Sequence, residues 1–213
     1  NHNVVSPVGG HPPPTFLKEY YMGATYWTNN QELQKSLFNI PYWHIKTKDF
    51  AKKKEQIKKL LVEYPENKVN LQEFYTNRQG ERQNLLQAFC PIVQEEIEQL
   101  TNDIEMDLAV TNVWSVSYQK GDYHSPHNHS GIGLSAIMYL DLPEGTPGTL
   151  FLQPWNDWLT DTSQYGEVFV EEGDIVIVPS FVIHFTKPNI TDDVKRIIAW
   201  DMKPIKRLTK DKN

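Results

Sequence analysis

The chain has 213 residues, a net charge of −6 and a single cysteine. Its length suits one globular domain with a sizeable core, and its negative field repels nucleic acid and anionic membranes. No apolar run approaches the roughly 20 residues of a membrane span, no charged-then-apolar leader opens the sequence, and lone Cys90 can form no internal disulfide, so a soluble, cytoplasmic protein is expected.

Residues 1–35 carry His11-Pro-Pro-Pro and the aromatic group Tyr20, Tyr21, Tyr26 and Trp27, with no sustained helical or strand period. The prolines favour an extended arm that lies over the main domain or contacts a second copy in a homodimer, with disorder at its very start the alternative expectation, and neither His2 nor His11 is expected to bind metal. A single domain over 36–213 is expected to follow. Leu37 to Ile45 reads as a strand, confined to a sheet edge because Pro41 cannot donate to a ladder. From Thr47, a suitable N-cap, to Tyr64 before Pro65, the spacing of Phe50, Ile57, Leu60, Leu61 and Tyr64 predicts a helix. Its lysines, Lys52 to Lys59, read as a solvated face. A second helix is predicted over about 82–100 from Leu85, Leu86, Phe89, Val93, Ile97 and Leu100, bent or split at Pro91, with Cys90 a packed thiol.

From Leu108 the period becomes that of strands. Segments 108–119, 134–140, 149–153, 167–170, 174–178, 182–187 and 195–202 are separated by turn signals such as Lys120-Gly-Asp and Glu171-Glu-Gly-Asp. Short strands at this spacing over 108–203, with no helix between them, predict an antiparallel sandwich or double-sheet jelly roll. The two helices would cover one sheet's outer face. The polar, Trp-containing segment 154–165 is placed as a loop near the mouth of the site.

Chemistry concentrates in Gly121-Asp-Tyr-His-Ser-Pro-His-Asn-His129 and in His184. Two residues apart in an extended segment, His127 and His129 project to the same side, where two imidazoles can hold one metal. His184 follows a buried strand and the Pro179 corner. Three protein ligands with open positions suit metal-assisted chemistry rather than a closed structural site. By the same strand logic His124, set off from His127 by Pro126, is expected to turn away. Asp122 is expected to cap its turn, His44 to be a packed or edge residue, and Trp114, Trp200 and Tyr118 to be core. A hairpin turning near Ile190 would make Arg196 the cross-strand neighbour of His184. A buried arginine needs an anion, either an internal one such as Asp201 or Glu167 or a ligand carboxylate beside the metal.

His127-x-His129, Leu134-Ser-Ala-Ile-Met-Tyr-Leu, Gly148-Thr-Leu-Phe, Gly173-Asp-Ile-Val-Ile-Val-Pro-Ser-Phe-Val-Ile-His184 and Arg196-Ile-Ile-Ala-Trp together resemble the Fe(II)- and 2-oxoglutarate-dependent oxygenases, in the branch akin to prolyl hydroxylases. The likeness spans roughly residues 36–203, with motif content from 112 onward. It implies a jelly-roll core with helices, and Fe(II) held by His127, by the acidic residue that the family has two positions later, where His129 stands here, and by His184. It also implies that Arg196 grips the far carboxylate of 2-oxoglutarate, and that O2 and this cosubstrate are consumed as succinate and CO2 form. A protein or peptide side chain such as proline is the substrate class that the branch suggests. His129 stands where most of the superfamily has Asp or Glu, so it is either a third imidazole ligand or a neighbour of the ligands. Ile198 stands where a hydroxyl often shares the cosubstrate carboxylate, and Tyr118, Tyr139 or Ser135 are the substitutes. The glycine and histidine spacing also matches much of the cupin pattern, without its usual glutamate, which leaves a three-histidine metalloenzyme independent of 2-oxoglutarate as one rival. A non-catalytic metal- or ligand-binding jelly roll is the other.

Overall fold

The structure, a computed structural model, describes residues 40–69, 74–78, 82–157 and 159–207. The aromatic arm, His2, His11 and the start of the first expected strand lie outside these residues.

Strand β1 (Trp43–Lys46) begins after Pro41 and among the described residues pairs only with β9 (Asp174–Pro179), standing at the end of its sheet, with Ile45 turned into the core. His44 on it bonds Asp174 through Nε2 at 2.8 Å. Helix α1 (Phe50–Glu63) starts later than predicted. Asp49, in the left-handed conformation at φ 48°, precedes it without a side-chain cap, while the Thr47 hydroxyl has no partner. The helix stops at Tyr64, ahead of Pro65. Its lysines are not all solvated: Lys53 pairs with buried Glu96 at 2.9 Å and Lys54 with Asp141 at 2.9 Å, fastening the helix to its neighbours.

Two short strands, β2 (Asn67–Lys68) and β3 (Tyr75–Thr76), form a hairpin that sequence periodicity did not reveal. Pro91 splits the second predicted helix into α2 (Arg82–Phe89) and α3 (Gln94–Ile104), joined by a 3-10 turn at Cys90–Ile92. Proline has no amide hydrogen to continue the helical ladder, and its ring crowds the preceding turn. Among the described residues no helix is long and apolar enough to cross a membrane.

The strands that follow are β4 (Met106–Tyr118), β5 (His124–His127), β6 (Leu134–Asp141), β7 (Leu150–Leu152), β8 (Tyr165–Glu167), β9, β10 (His184–Thr186) and β11 (Lys195–Arg207). They build a seven-stranded sheet, β1-β9-β6-β11-β4-β3-β2, and a four-stranded sheet, β5-β10-β7-β8, with every pairing antiparallel. This is the jelly roll the spacing predicts, although β8 precedes its expected position.

The large sheet is buried on both faces, and alternation along its strands sorts the core in two. Val113, Ala136, Met138, Ile175, Ile177, Ile198 and Trp200 face the helices, where Ile57, Leu85, Phe89, Val93 and Leu100 cover them. Trp114, Val116, Tyr118, Ile137, Tyr139, Val176, Val178, Ile197 and Ala199 face the small sheet. This second face encloses the histidines. Gly133 is required here: at φ 109° a β-carbon would collide with the Met202 carbonyl, and the Gly133 carbonyl accepts from the Ser180 amide at 2.9 Å.

Candidate metal and cosubstrate site

In the small sheet β5 and β10 pair so that His127 sits opposite His184, and opposed residues of an antiparallel pair share a face. His129 lies just beyond β5, held by its amide on the Ser180 carbonyl at 3.1 Å. The ring centroids are 4.5 Å apart for His127 and His184, 4.9 Å for His129 and His184, and 5.4 Å for His127 and His129. One nitrogen from each falls within 4.8 Å of the other two.

The other nitrogen of every ring is already engaged. His127 Nδ1 meets the Ser125 carbonyl at 2.9 Å, His184 Nδ1 the Val182 carbonyl at 3.0 Å, and His129 Nδ1 the Asp201 carboxylate at 2.7 Å. Carbonyls and ionised carboxylates only accept, so each Nδ1 carries the proton and each Nε2 presents its lone pair. Burial, reinforced by the neighbouring rings, depresses the His184 pKa to about 3, and burial also lowers that of His127. Neutral, pre-oriented imidazoles are what a metal ion requires. The donor set therefore fits a divalent iron.

Asp201 ends a short polar chain. Burial raises its pKa, but hydrogen bonds from His129, Ser135 and Asn112 outweigh this and hold the carboxyl below its usual value. The Ser135 hydroxyl bonds Asp201 at 3.0 Å and the Ser180 hydroxyl at 2.9 Å. Ser135 is thus committed to the support of His129 and is not beside Arg196.

Several expected placements are corrected. His184 and Arg196 are not cross-strand neighbours: β10 pairs with β5 and β7 in the small sheet, whereas β11 pairs with β4 and β6 in the large one. Arg196 shares its face with Ile198 and Trp200, toward the helices. There it donates from Nε to the Ser117 hydroxyl at 2.8 Å and from Nη1 to Asp141 at 3.2 Å. Its anion is internal, though neither Asp201 nor Glu167. His124 does not turn away either. Its ring stacks on His127 with centroids 3.9 Å apart and planes at 19°, because the four residues 124–127 of β5 are matched by the three residues 184–186 of β10, and this irregularity brings both histidines to one face. Burial and the adjacent histidines push the His124 pKa down to about 2. Asp122 caps its turn as expected, accepting from the Gln119 amide at 2.8 Å.

The cation that does point between the sheets is Lys195. It is 1% exposed and pairs in register with Tyr118, and its Nζ lies 5.8 Å over the Tyr118 ring while donating to the carbonyls of Pro147 at 2.6 Å and Gly148 at 3.3 Å. Burial lowers its pKa to about 8. Nearby, the Tyr139 hydroxyl accepts from the Thr149 amide at 3.0 Å, and the buried Thr149 hydroxyl has no partner. Tyr118 reaches the histidines, with its hydroxyl 3.4 Å from His124 Nδ1. Tyr118 and Tyr139 are fully buried, and burial raises both phenols, Tyr139 to about 12 and Tyr118 well above its ordinary value, so they stay protonated donors.

Residues 112–201, from the Asn112 partner of Asp201 to Asp201 itself, match the family described as "Putative 2OG-Fe(II) oxygenase". No curated protein sequence matches the chain. Among solved structures, an oxidoreductase of the 2OG-Fe(II) oxygenase family from Burkholderia pseudomallei superposes with a TM-score of 0.60 at 10% identity, covering 79% of this chain and 88% of that one. HygX from Streptomyces hygroscopicus, solved with nickel, 2-oxoglutarate and hygromycin B, gives a TM-score of 0.56 at 11% identity over 78% and 83%. The non-heme alpha-ketoglutarate-dependent carbocyclase SnoK from nogalamycin biosynthesis gives 0.58 at 13% over 81% and 84%. At these identities the structural likeness establishes the fold, and the family match favours an oxygenase over a cupin.

Proposed function

We infer that this chain, whose residues 112–201 match a putative 2OG-Fe(II) oxygenase family, is a 2-oxoglutarate-dependent oxygenase that holds Fe(II) on the Nε2 atoms of His127, His129 and His184 and binds the far carboxylate of 2-oxoglutarate at Lys195. Bound there, the iron and its cosubstrate supply the oxidising power, with O2 as co-reactant and succinate and CO2 as products. A C–H bond is hydroxylated, and a protein or peptide side chain is the substrate class that the sequence resemblance favours.

The remaining chemistry belongs to the protein. Carbonyls of Ser125 and Val182 and the Asp201 carboxylate keep the three Nδ1 protons in place, so each ring can offer only Nε2 inward. From the His184–His127 pair the interior continues through Thr186, which faces His124, to Tyr118 and then Lys195. One step of two residues along a strand covers about 6.6 Å, comparable with the reach of a five-carbon diacid. Lys195 has a third ammonium proton beyond the two it gives to carbonyls, and a carboxylate accepting it removes the cost of a buried, unneutralised charge. The Tyr118 and Tyr139 hydroxyls and the unpartnered Thr149 hydroxyl supply further donors. Val176, Val178 and Ile197 wall this space and exclude water.

The observation that carries the reading is the convergence of three imidazoles, each fixed through Nδ1, and one buried ammonium on the space between the sheets. It is tested by titrating anaerobic, Fe(II)-loaded protein with 2-oxoglutarate, then admitting O2 and assaying succinate. A visible charge-transfer band followed by succinate is expected. Folded, iron-loaded protein that gives neither refutes the assignment.

A further inference from the structure

Arg78 has no role in holding the metal or the cosubstrate as described above. It follows β3 in a segment fixed on β4. Thr76 donates its hydroxyl to the Ser115 carbonyl at 2.6 Å, Asn77 Oδ1 accepts from the Ser115 amide at 2.8 Å, and the Asn77 amide donates to the Tyr64 carbonyl at 2.9 Å. The half-buried Arg78 guanidinium lies 4.6 Å over the Trp114 ring. That ring lies 5.1 Å from the ring of His129. Among the described residues Arg78 forms no ion pair, and its only hydrogen bond is through its backbone amide, to Thr76. Its charge reaches the site, since it contributes to lowering the pKa values of His124 and His127.

A guanidinium carries five N–H donors in a planar fork suited to anions, and among the described residues none of those of Arg78 meets an acceptor. Beside His129, and lined by neither Trp114 nor its stacked guanidinium, is a cavity of about 260 Å3, lined by Asn112, Ser130, Ser180, Asp201 and Lys203 among others, so room for a ligand opens beside the same histidine. This is not the cosubstrate's end of the interior: Trp114 is four residues from Tyr118 on β4, roughly 13 Å along the strand, and Lys195 pairs with Tyr118.

We propose that Arg78, stacked on Trp114, binds an anionic group of the primary substrate, a carboxylate or a phosphate, and so holds the carbon to be oxidised beside the three histidines. The proposal rests on the oxygenase reading and narrows its substrate to an anion-bearing molecule or side chain. A plain prolyl ring would leave Arg78 unused. Carboxylate and phosphate both match the planar fork of arginine.

The test uses cobalt(II)-loaded protein saturated with 2-oxoglutarate, so that the metal and Lys195 are already engaged, and inorganic phosphate or acetate as the probe. Paramagnetic relaxation of the phosphorus or methyl-proton signal is followed during the titration. Saturable relaxation is expected, with affinity about tenfold or more weaker in Arg78→Gln, as for loss of a charge-assisted pair, and unchanged in Arg196→Gln. If neither probe gives saturable relaxation, or if Arg78→Gln matches the unaltered protein for both, the proposal is overturned. Weakened 2-oxoglutarate binding in Arg78→Gln would overturn it too, by placing the residue at the cosubstrate. Failure of the unaltered protein to bind cobalt or 2-oxoglutarate is visible separately, before any probe is added, and brings down the underlying reading as well.

Discussion

Replacing Asp201 by Asn isolates the charge behind His129. The amide oxygen of asparagine can still accept from Nδ1 and from the Ser135 hydroxyl, and its NH2 is accommodated if the Asn112 amide turns its oxygen to accept, so shape is kept while the carboxylate is lost. A charge-assisted hydrogen bond contributes about 1.5–3 kcal/mol against about 1 for a neutral one. The difference corresponds to roughly tenfold weaker Fe(II) binding, at the lower edge of the 10–100-fold loss usual when a ligand histidine loses its carboxylate partner. A second magnitude follows from distance. With the 2.7 Å hydrogen bond and the imidazole ring between them, the carboxylate stands about 7 Å from a metal on Nε2. At an effective dielectric constant of about 20, one unit of charge there is worth about 2.4 kcal/mol, or about 100 mV for a one-electron couple. The Fe(III)/Fe(II) midpoint of the variant is therefore expected to rise by about 100 mV in anaerobic redox titration, with Fe(II) affinity falling in parallel. Affinity and midpoint both equal to those of the unaltered protein, in a variant of unchanged circular dichroism and melting temperature, would refute the idea that Asp201 supplies the negative charge that three imidazoles lack.

Other outcomes follow from the same geometry. Lys195→Met should raise the Kd for 2-oxoglutarate about tenfold or more while leaving Fe(II) affinity intact, since one charge-assisted bond is lost; equilibrium titration of the charge-transfer band measures both. Arg196→Ala should leave that Kd unchanged and lower the urea midpoint modestly, because its bonds to Ser117 and Asp141 tie β11 to its neighbours on the helix side. A selective loss of cosubstrate in Arg196→Ala would show that the side chain points inward after all. For the metal-free protein, folding should weaken as pH falls. The folded His184 resists protonation until about pH 3, whereas the unfolded residue titrates near 6.5, so the unfolded state binds more protons between those values. Stability is full above about pH 6.5, and His184 alone removes about 2 kcal/mol of it by pH 5. Urea midpoints at pH 7.5 and 5.0 check this, and no decline would contradict it. Cosubstrate binding has the opposite limit: affinity for 2-oxoglutarate should drop as pH rises past about 8, where Lys195 loses its proton.

The three-histidine cluster is legible because strand alternation relates His127 to His129 directly, and because a closed double sheet is needed to bring distant His184 to them. Which cation of β11 faces the space between the sheets is not. Strand β11 is buried on both faces, so its apolar residues gave no parity, and the adjacent Lys195 and Arg196 could not be told apart from the pattern alone. The assumed hairpin between His184 and Arg196 failed because the intervening segment crosses from one sheet to the other. A different limit hid the support for His129. Asp201 lies 72 residues away in sequence, and only the pairing of β11 with β4 and β6 aligns it with Asn112 and Ser135. His124 was misjudged because an irregularity of one residue in β5 reverses the facing that strict alternation gives. In the helical half, Pro91 was read correctly as a break, whereas Asp49 in a left-handed turn displaced the helix start expected at Thr47.

The most direct measurement is a crystal structure of the protein grown anaerobically with Fe(II) and 2-oxoglutarate. The account predicts one iron on the Nε2 atoms of His127, His129 and His184, with the far carboxylate of the cosubstrate on Lys195 Nζ between the two sheets. An ion bound without His129, or a cosubstrate carboxylate held by Arg196, would contradict it.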